Sequence, residues 1–148
     1  MPIPQVSVFL DNRPGSLSEV MSYLDKSQIK IYALTIAEAG EYGVVRMVVE
    51  DPEKISQILE DASFNLAKAK KNTEVTAVLI TKENHISKIT QILSDNHVNI
   101  EYAYLSAIHY EKNAAIIIRP KDIEQAEKAF KTNKIETLTL ADIKQHFS

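Results

Sequence analysis

The chain has 148 residues, of which 45% are hydrophobic and 25% are charged, with a formal net charge of −3 at pH 7. This composition is typical of a globular protein. It leaves no basic excess for a large nucleic-acid interface, and the apolar runs are too short to cross a bilayer. The chain contains no cysteine, which excludes disulfides, thiolate nucleophiles and cysteine metal sites. Residues 1–5 carry neither a basic stretch nor a long apolar core, so we expect no secretory signal and a cytoplasmic protein.

The first predicted elements are a strand over roughly 5–11 and an amphipathic helix over 16–27. The run Val6–Leu10 alternates as a strand does, and the helix repeats its apolar residues at helical spacing. These apolar residues are Leu17, Val20, Met21 and Leu24.

The segment between these elements, Asp11–Leu17, turns sharply through Pro14 and Gly15. Proline presets the φ angle of a turn, and glycine lacks the Cβ that would keep a ligand away. Ser16 and Glu19 have the spacing of a capping box. Free backbone N–H groups at the positive end of the helix favour a carboxylate or another small anion here. A purely structural turn explains the same residues equally well.

The first half continues with two strands joined by a hairpin. Strand two is predicted over 29–39 and strand three over 44–50, the latter rich in β-branched residues. The turn Gly40–Gly43 contains two glycines, which would supply the positive φ angles of a tight turn.

A second helix follows the hairpin. Asp51 is the predicted N-cap and Pro52 the first helical residue, since both types favour these positions. Residues 65–70 are predicted to form a short fourth strand.

The second half of the chain repeats the apolar pattern of the first half at a constant offset in sequence. This offset aligns Val6 with Val75 in the first strand. After a gap in the hairpin, Pro52 meets Pro120. Self-similarity at a fixed shift indicates a duplicated structural unit. We therefore predict two βαββαβ modules, residues 1–72 and residues 73–148.

The strands of both modules are apolar on both faces, as in Val44–Val49 and Val78–Ile80. Helices would cover one face, and the other is too apolar for comfortable exposure. Residues 139–147 have helical spacing, so a C-terminal helix, a second subunit or both would cover it.

The motif Asp11-Asn12-Arg13-Pro14-Gly15-Ser16-Leu17, at the first turn of a βαββαβ module, resembles that of the ACT domain family. The segments Gln28–Ile31 and Val98–Ile100, where strand two of each half begins, fit the same pattern, and the resemblance covers residues 5–138. It implies an α+β fold of two ferredoxin-like modules, side by side in one eight-stranded antiparallel sheet with helices on one face.

The resemblance also implies a ligand site, because ACT modules bind an effector amino acid between neighbouring modules. Carried over to this chain, the site would use Asp11–Leu17 from the first half with Asn99 and Ile100 from the second. The backbone of Gly15–Leu17 would bind the carboxylate, and amide oxygens of Asn12 and Asn99 would accept from the ammonium group.

The opposite site would use the loop Lys82–Ile86, which contains Asn84 and His85, together with Lys30. This loop lacks the Pro-Gly turn. Lys30 replaces the asparagine, and a lysine ammonium group cannot accept a hydrogen bond from another ammonium group. We predict one functional and one degenerate site in each chain.

The function implied by the resemblance is non-catalytic: amino-acid sensing by a free-standing tandem pair, without cofactor, that signals to a separate metabolic enzyme. We expect a homodimer and neither a nucleic-acid nor a membrane partner. One alternative is an assembly or regulatory subunit with a vestigial ligand site. Another is a small hydrolase of the acylphosphatase type that uses Arg13, although no nucleophile–base pair is visible.

Two further interpretations have little support in the sequence. RNA-binding modules of this topology stack bases on aromatic residues in strands one and three, but strand three, Val44–Val49, contains none and the chain is acidic. The four histidines have no metal-ligand spacing and are predicted to be surface or structural residues.

Overall fold

The chain folds into two α+β units, and the computed structural model describes residues 2–11 and 13–146. One unit comprises Pro4–Thr73, and the other comprises the N-terminal residues through Ile3 together with the chain from Glu74. Each unit contains the strand–helix–strand–strand–helix–strand succession of the predicted ferredoxin-like fold, which is thereby confirmed. Asn12 of the predicted turn and Phe147 of the predicted tail helix lie outside the described residues.

The secondary structure follows the predicted order closely. In chain order the elements are β1 (Ile3–Pro4), β2 (Val6–Asp11), α1 (Ser16–Ser27), β3 (Ile31–Ala39), β4 (Tyr42–Val49), α2 (Pro52–Asp61), β5 (Asn65–Leu66), α3 (Lys70–Thr73), β6 (Glu74–Leu79), α4 (Ile86–Asp95), β7 (Ile100–Tyr110), β8 (Asn113–Pro120), α5 (Ile123–Thr132), β9 (Thr137–Leu138) and α6 (Leu140–His146). None of the helices in residues 2–11 and 13–146 has the length and apolar character needed to cross a membrane.

The strands of the described residues form two sheets, whereas we predicted a single eight-stranded sheet. The first sheet has the order β3-β4-β2-β5, and the second has the order β1-β6-β8-β7 with β9 also pairing with β6. The strands β3 and β7 each lie at one edge of their sheet, and the short N-terminal strand β1 pairs with β6 at the other edge of the second sheet. A single sheet would instead require backbone hydrogen bonds between strands of the two repeats.

Helices cover one face of each sheet and bury a separate apolar core. In the first unit, strand residues such as Val8 and Val45 pack with α1 and α2. In the second unit, Val78, Ile116 and Ile118 pack with α4 and α5. The fully buried helix residues of these cores are Val20, Leu24, Ile55 and Leu59 in the first unit and Ile89, Leu93, Ala126 and Phe130 in the second.

Local signals placed most helix ends correctly. The helix α1 has the predicted bounds, and Asp51 caps α2 by accepting a hydrogen bond from the Lys54 N–H at 3.1 Å. Two local predictions were wrong. Gly40 has a φ of +72°, but Gly43 lies inside β4 without a positive φ. The fourth strand is also shorter than predicted, since it ends at Leu66 and Lys70 already belongs to α3.

The predicted register of the repeat is wrong in the first strand. In the helices the predicted alignment is correct, since its partners Val20 and Ile89 both lie in the helix-facing cores. In the first strand of each repeat, however, Val8 corresponds to Val78, one position beyond the predicted partner. Since successive strand residues point to opposite faces, the predicted pairing of Val6 with Val75 joins residues on opposite faces.

The register also changes in the second half of each repeat. Asp51 and Asp122 correspond to each other as the N-caps of α2 and α5, whereas Pro120 ends β8 instead of beginning a helix. The reason is two extra residues in β7. Leu105 pairs with Ile116 and His109 with Ala114, so three residues of β7 lie opposite one of β8.

Candidate functional site

The predicted turn places Gly15 at the start of α1. Gly15 is the N-cap residue with a φ of +90°, and a Cβ at this position would have no atom within 4 Å. The Arg13 N–H donates to the Asp11 carbonyl at 2.9 Å, and the Ser16 N–H donates to the Arg13 carbonyl at 3.3 Å. Pro14 lies on the surface of this turn. The glycine therefore serves the backbone conformation and leaves the space above the turn open.

No side chain among the described residues caps α1. The predicted capping box is wrong, because the Glu19 carboxylate pairs with the Arg13 guanidinium group and Ser16 is the first helical residue rather than the cap. The Ser16 side chain is 6% exposed, and its hydroxyl has no hydrogen-bond partner in the part of the chain that is described. A buried hydroxyl without a partner costs free energy, and a ligand group that hydrogen-bonds to Ser16 would remove that cost.

A cleft of about 190 Å³ lies beside this turn, lined by Ser16 and by the segment Ala62–Asn65 that joins α2 to β5. A second cleft, of about 330 Å³, adjoins the first. Both clefts are lined by Phe9, Leu10, Asp11 and Asn65, and the second is also lined by Tyr42. The larger cleft is within the range of roughly 300–1,000 Å³ that is usual for small-molecule sites.

The charged residues of the first cleft form a small network. Arg13 Nη2 lies 3.3 Å from Glu19 Oε1, and Arg13 Nε lies 4.0 Å from Asp11 Oδ2. All three side chains are more than half exposed, so these ion pairs contribute little to folding. Two carboxylates face one guanidinium group, which leaves this cleft with one excess negative charge for a cationic group.

The remaining predicted site residues have other surroundings. Leu17 packs against the apolar core of the first unit. Asn99 and Ile100 belong to the second unit, at the start of β7, where the Asn99 carbonyl accepts a hydrogen bond from the Lys121 N–H at 2.8 Å. The structure thus groups Asp11, Arg13 and Ser16 around one cleft.

A family model described as the ACT domain pair matches residues 1–146. The chain belongs to this family. A solved structure of a protein from Bacteroides thetaiotaomicron is similar over 97% of this chain and 96% of that one, with 30% identity and a TM-score of 0.84. No curated protein matches this ACT domain pair significantly.

Two regulatory subunits of aspartate kinase share the fold at lower identity. The subunit from Thermus thermophilus, solved in a ligand-free form, is 17% identical with a TM-score of 0.56 over 97% of this chain and 91% of its own. The subunit from Thermus flavus is 16% identical with a TM-score of 0.52, over 98% of this chain and 94% of its own.

The second repeat of this ACT domain pair closes the equivalent turn with its own side chains. His85 caps α4, and its Nδ1 accepts a hydrogen bond from the Lys88 N–H at 3.4 Å and lies 2.7 Å from Ser87 Oγ. Thr81 Oγ1 accepts from the Asn84 N–H at 2.9 Å, while the Thr81 N–H donates to the Asn84 carbonyl at 3.1 Å. The backbone N–H of Lys30, in the first unit, donates to Glu50 Oε1 at 3.3 Å.

Sequence reasoning missed several residues that line the clefts of the ACT domain pair. Phe9 and Tyr42 form an edge-to-face pair with ring centroids 5.9 Å apart. They meet because β2 and β4 pair with Asp11 opposite Tyr42 and Phe9 opposite Val44. The register of the hairpin was the only signal from which this contact could have been inferred, since neither residue belongs to the turn motif.

Proposed function

We propose that this ACT domain pair is a non-catalytic regulatory protein that binds a free amino acid at the first repeat and signals to a separate partner. The observation that carries the proposal is the start of α1, where no described side chain caps the helix and the buried Ser16 hydroxyl lacks a partner beside an open cleft. A helix N-terminus with free N–H groups and a positive dipole end is complementary to a carboxylate.

The two charged groups of a free amino acid fit the two parts of the cleft. The carboxylate would accept hydrogen bonds from the first turn of α1 and from the Ser16 hydroxyl. The ammonium group would lie near Asp11, whose carboxylate is 86% exposed and shares the Arg13 guanidinium with Glu19. Asn12 and Asn99 remain predicted contributors through their amide oxygens.

The second repeat supports a single functional site in each chain. His85 already accepts the Lys88 N–H in the first turn of α4, and Thr81 accepts the Asn84 N–H in the loop that precedes it. The hydrolase alternative is weakened because Arg13, its proposed anion-binding residue, already faces Asp11 and Glu19.

Regulation of a separate enzyme is the expected output. The ligand would shift a conformational or assembly equilibrium, and the size of that shift is limited by its differential affinity for the two states. The fold of regulatory subunits such as those of aspartate kinase is consistent with this role. An amino-acid biosynthetic enzyme is the class of partner that we propose.

We further propose that the protein is a homodimer, joined through its outer strands. Ile36 in β3 is 51% exposed and Leu105 in β7 is 62% exposed, and the two residues are equivalent in the two repeats. Exposed apolar side chains on outer strands favour association with another sheet edge.

A thermal-shift screen of the full chain against the twenty amino acids tests the proposed function. An amino acid at about one hundred times its Kd would add roughly 2.7 kcal/mol of stability. For a chain of this size, each kcal/mol raises the Tm by about 2–4 °C. Gly15→Val and Ser16→Ala should reduce the shift, and Ser22→Ala on the exposed part of α1 is the matched control. If no amino acid at millimolar concentration shifts the Tm, the contact-only subunit becomes the better interpretation.

A further inference from the structure

We propose that the amino acid bound by the first repeat has a large, uncharged side chain, preferably an aromatic one. This inference rests on the proposed function, because it concerns the ligand of the same site. It follows from the second cleft, which adjoins the first along Phe9, Leu10, Asp11 and Asn65. A ligand with its carboxylate at Ser16 and its ammonium group at Asp11 would direct its side chain into that second cleft.

The second cleft is built around an aromatic pair. The Phe9 and Tyr42 rings meet at an angle of 86°, and Tyr42 is 48% exposed. A half-exposed tyrosine leaves ring surface available for a further aromatic or apolar group, and aromatic groups pack favourably edge-to-face or offset. Apolar pockets with a few oriented polar groups are the usual form of a small-molecule site.

The charged residues that line the two clefts disfavour binding of an amino acid with a charged side chain. Asp11 and Glu19 outnumber Arg13, and Arg13 already faces both of them. A second carboxylate on the ligand would therefore find no unpaired cation among the described lining residues. Asp11 is the only charged residue that lines the second cleft in the described chain. The α-ammonium group of the ligand would pair with the Asp11 carboxylate.

The second repeat lacks this aromatic pair. The observed alignment of β2 with β6 and of β4 with β8 places Leu79 and Asn113 at the positions of Phe9 and Tyr42. Leu79 is 2% exposed and so offers no surface to a ligand. The aromatic cleft thus coincides with the repeat whose first helix lacks a side-chain cap.

Calorimetric titration of the full chain with single amino acids tests the ligand class. The probes are L-phenylalanine and L-tyrosine, compared with L-alanine, L-lysine and L-aspartate. We expect the two aromatic amino acids to bind about tenfold or more tightly than the other three. Tyr42→Ala should remove most of that advantage by weakening the binding of phenylalanine at least tenfold more than that of alanine, and Tyr42→Phe should keep it. Circular dichroism checks that both variants are folded.

The possible failures are distinguishable. If lysine, aspartate or alanine binds most tightly and Gly15→Val abolishes that binding, the proposed ligand class is overturned and the proposed function stands. Equal effects of Tyr42→Ala on phenylalanine and alanine would also overturn the ligand class. If none of the twenty amino acids binds, the proposed function fails and the ligand class fails with it.

Discussion

Ser16 and His85 align between the two repeats, but Ser16 is the first residue of α1, after the N-cap Gly15, whereas His85 is itself the N-cap of α4. The imidazole of His85 accepts the Lys88 N–H, whereas the hydroxyl of Ser16 is buried without a partner in the described structure. The turn before α4 therefore stabilises its helix through His85, whereas the turn before α1 contains the unsatisfied hydroxyl of Ser16. Stability and binding should respond oppositely to substitutions at these two residues.

Ser16→Ala should stabilise the free protein and weaken ligand binding. Replacing a buried hydroxyl that has no partner with a methyl group removes a desolvation cost, so we expect the free energy of unfolding to rise by about 1 kcal/mol. Urea denaturation measures this change. Thr76→Val is the matched control for the binding effect. The Thr76 hydroxyl is also buried without a partner in the described structure, but it lies in the second unit, whereas the proposed site lies in the first. Lower stability of Ser16→Ala would show that its hydroxyl is satisfied in the free protein.

His85→Ala should lower the free energy of unfolding by about 1 kcal/mol, the usual cost of losing an N-cap side chain. His85→Asp should restore or exceed the original stability, because a carboxylate accepts the same N–H and interacts favourably with the helix dipole. Thermal and urea denaturation measure both variants. Equal losses for alanine and aspartate would contradict a capping role.

Gly15→Ala should destabilise the fold by roughly 1–2 kcal/mol, because alanine at a φ of +90° is strained even where space is open. Gly43→Ala provides the contrast. Gly43 lies in a strand, and a Cβ there would meet the Ala37 carbonyl oxygen at 3.6 Å, an ordinary contact. We expect Gly43→Ala to change the stability by about 0.5 kcal/mol or less. A similar loss at both positions would argue against backbone strain at Gly15.

Stability should fall as the pH rises above 10 because of Tyr32. Burial raises the pKa of this phenol above 10.0, and the nearby Glu50 carboxylate raises it further. The unfolded chain therefore releases the proton first. The stability contributed by Tyr32 is complete below pH 10 and is lost as the pH approaches the folded-state pKa. Tyr32→Phe should lose less stability between pH 9 and pH 11 than the original chain does.

Chemical denaturation across this pH range measures that difference. Tyr23→Phe is the control, because Tyr23 is 37% exposed whereas Tyr32 is 2% exposed. If Tyr32→Phe follows the pH curve of the original chain, the alkaline loss has another source.

Leu105→Lys should dissociate the proposed homodimer without unfolding the chain. The side chain is exposed on an outer strand, so lysine costs little in the monomer but places a charge in an apolar interface. Size-exclusion chromatography with light scattering should show the mass falling to that of one chain, 16.6 kDa. Ile86→Lys on α4, where Ile86 is 42% exposed, is the control. A monomeric original chain would contradict the proposal directly.

Local signals in the sequence predicted the helices better than the strand register. Asp51 before Pro52 is a strong start signal, and it acts within one turn of helix. The strand register was misplaced because strands such as Val75–Leu79 are apolar at nearly every position. Without alternation, a one-residue slip changes the face of every residue while the hydrophobic pattern stays the same.

The candidate site could be predicted only in part for a related reason. Gly15 and Ser16 belong to a contiguous motif, so their positions follow from local sequence. Phe9, Tyr42 and Asn65 reach the clefts through pairing of β2 with β4 and β5, and such long-range contacts depend on the register. His85 was not recognised as a cap because serine, threonine, aspartate and asparagine are the usual capping residues.

Ile3 is fully buried in a strand that joins the second sheet, although the chain from Pro4 onward builds the first unit. The second sheet therefore takes its edge strand β1 from the start of the chain, ahead of the whole first unit. A fragment that begins at Glu74 would lack this strand and expose backbone groups of β6. The second unit is therefore discontinuous in the sequence, and a cut between the two halves at Glu74 divides it.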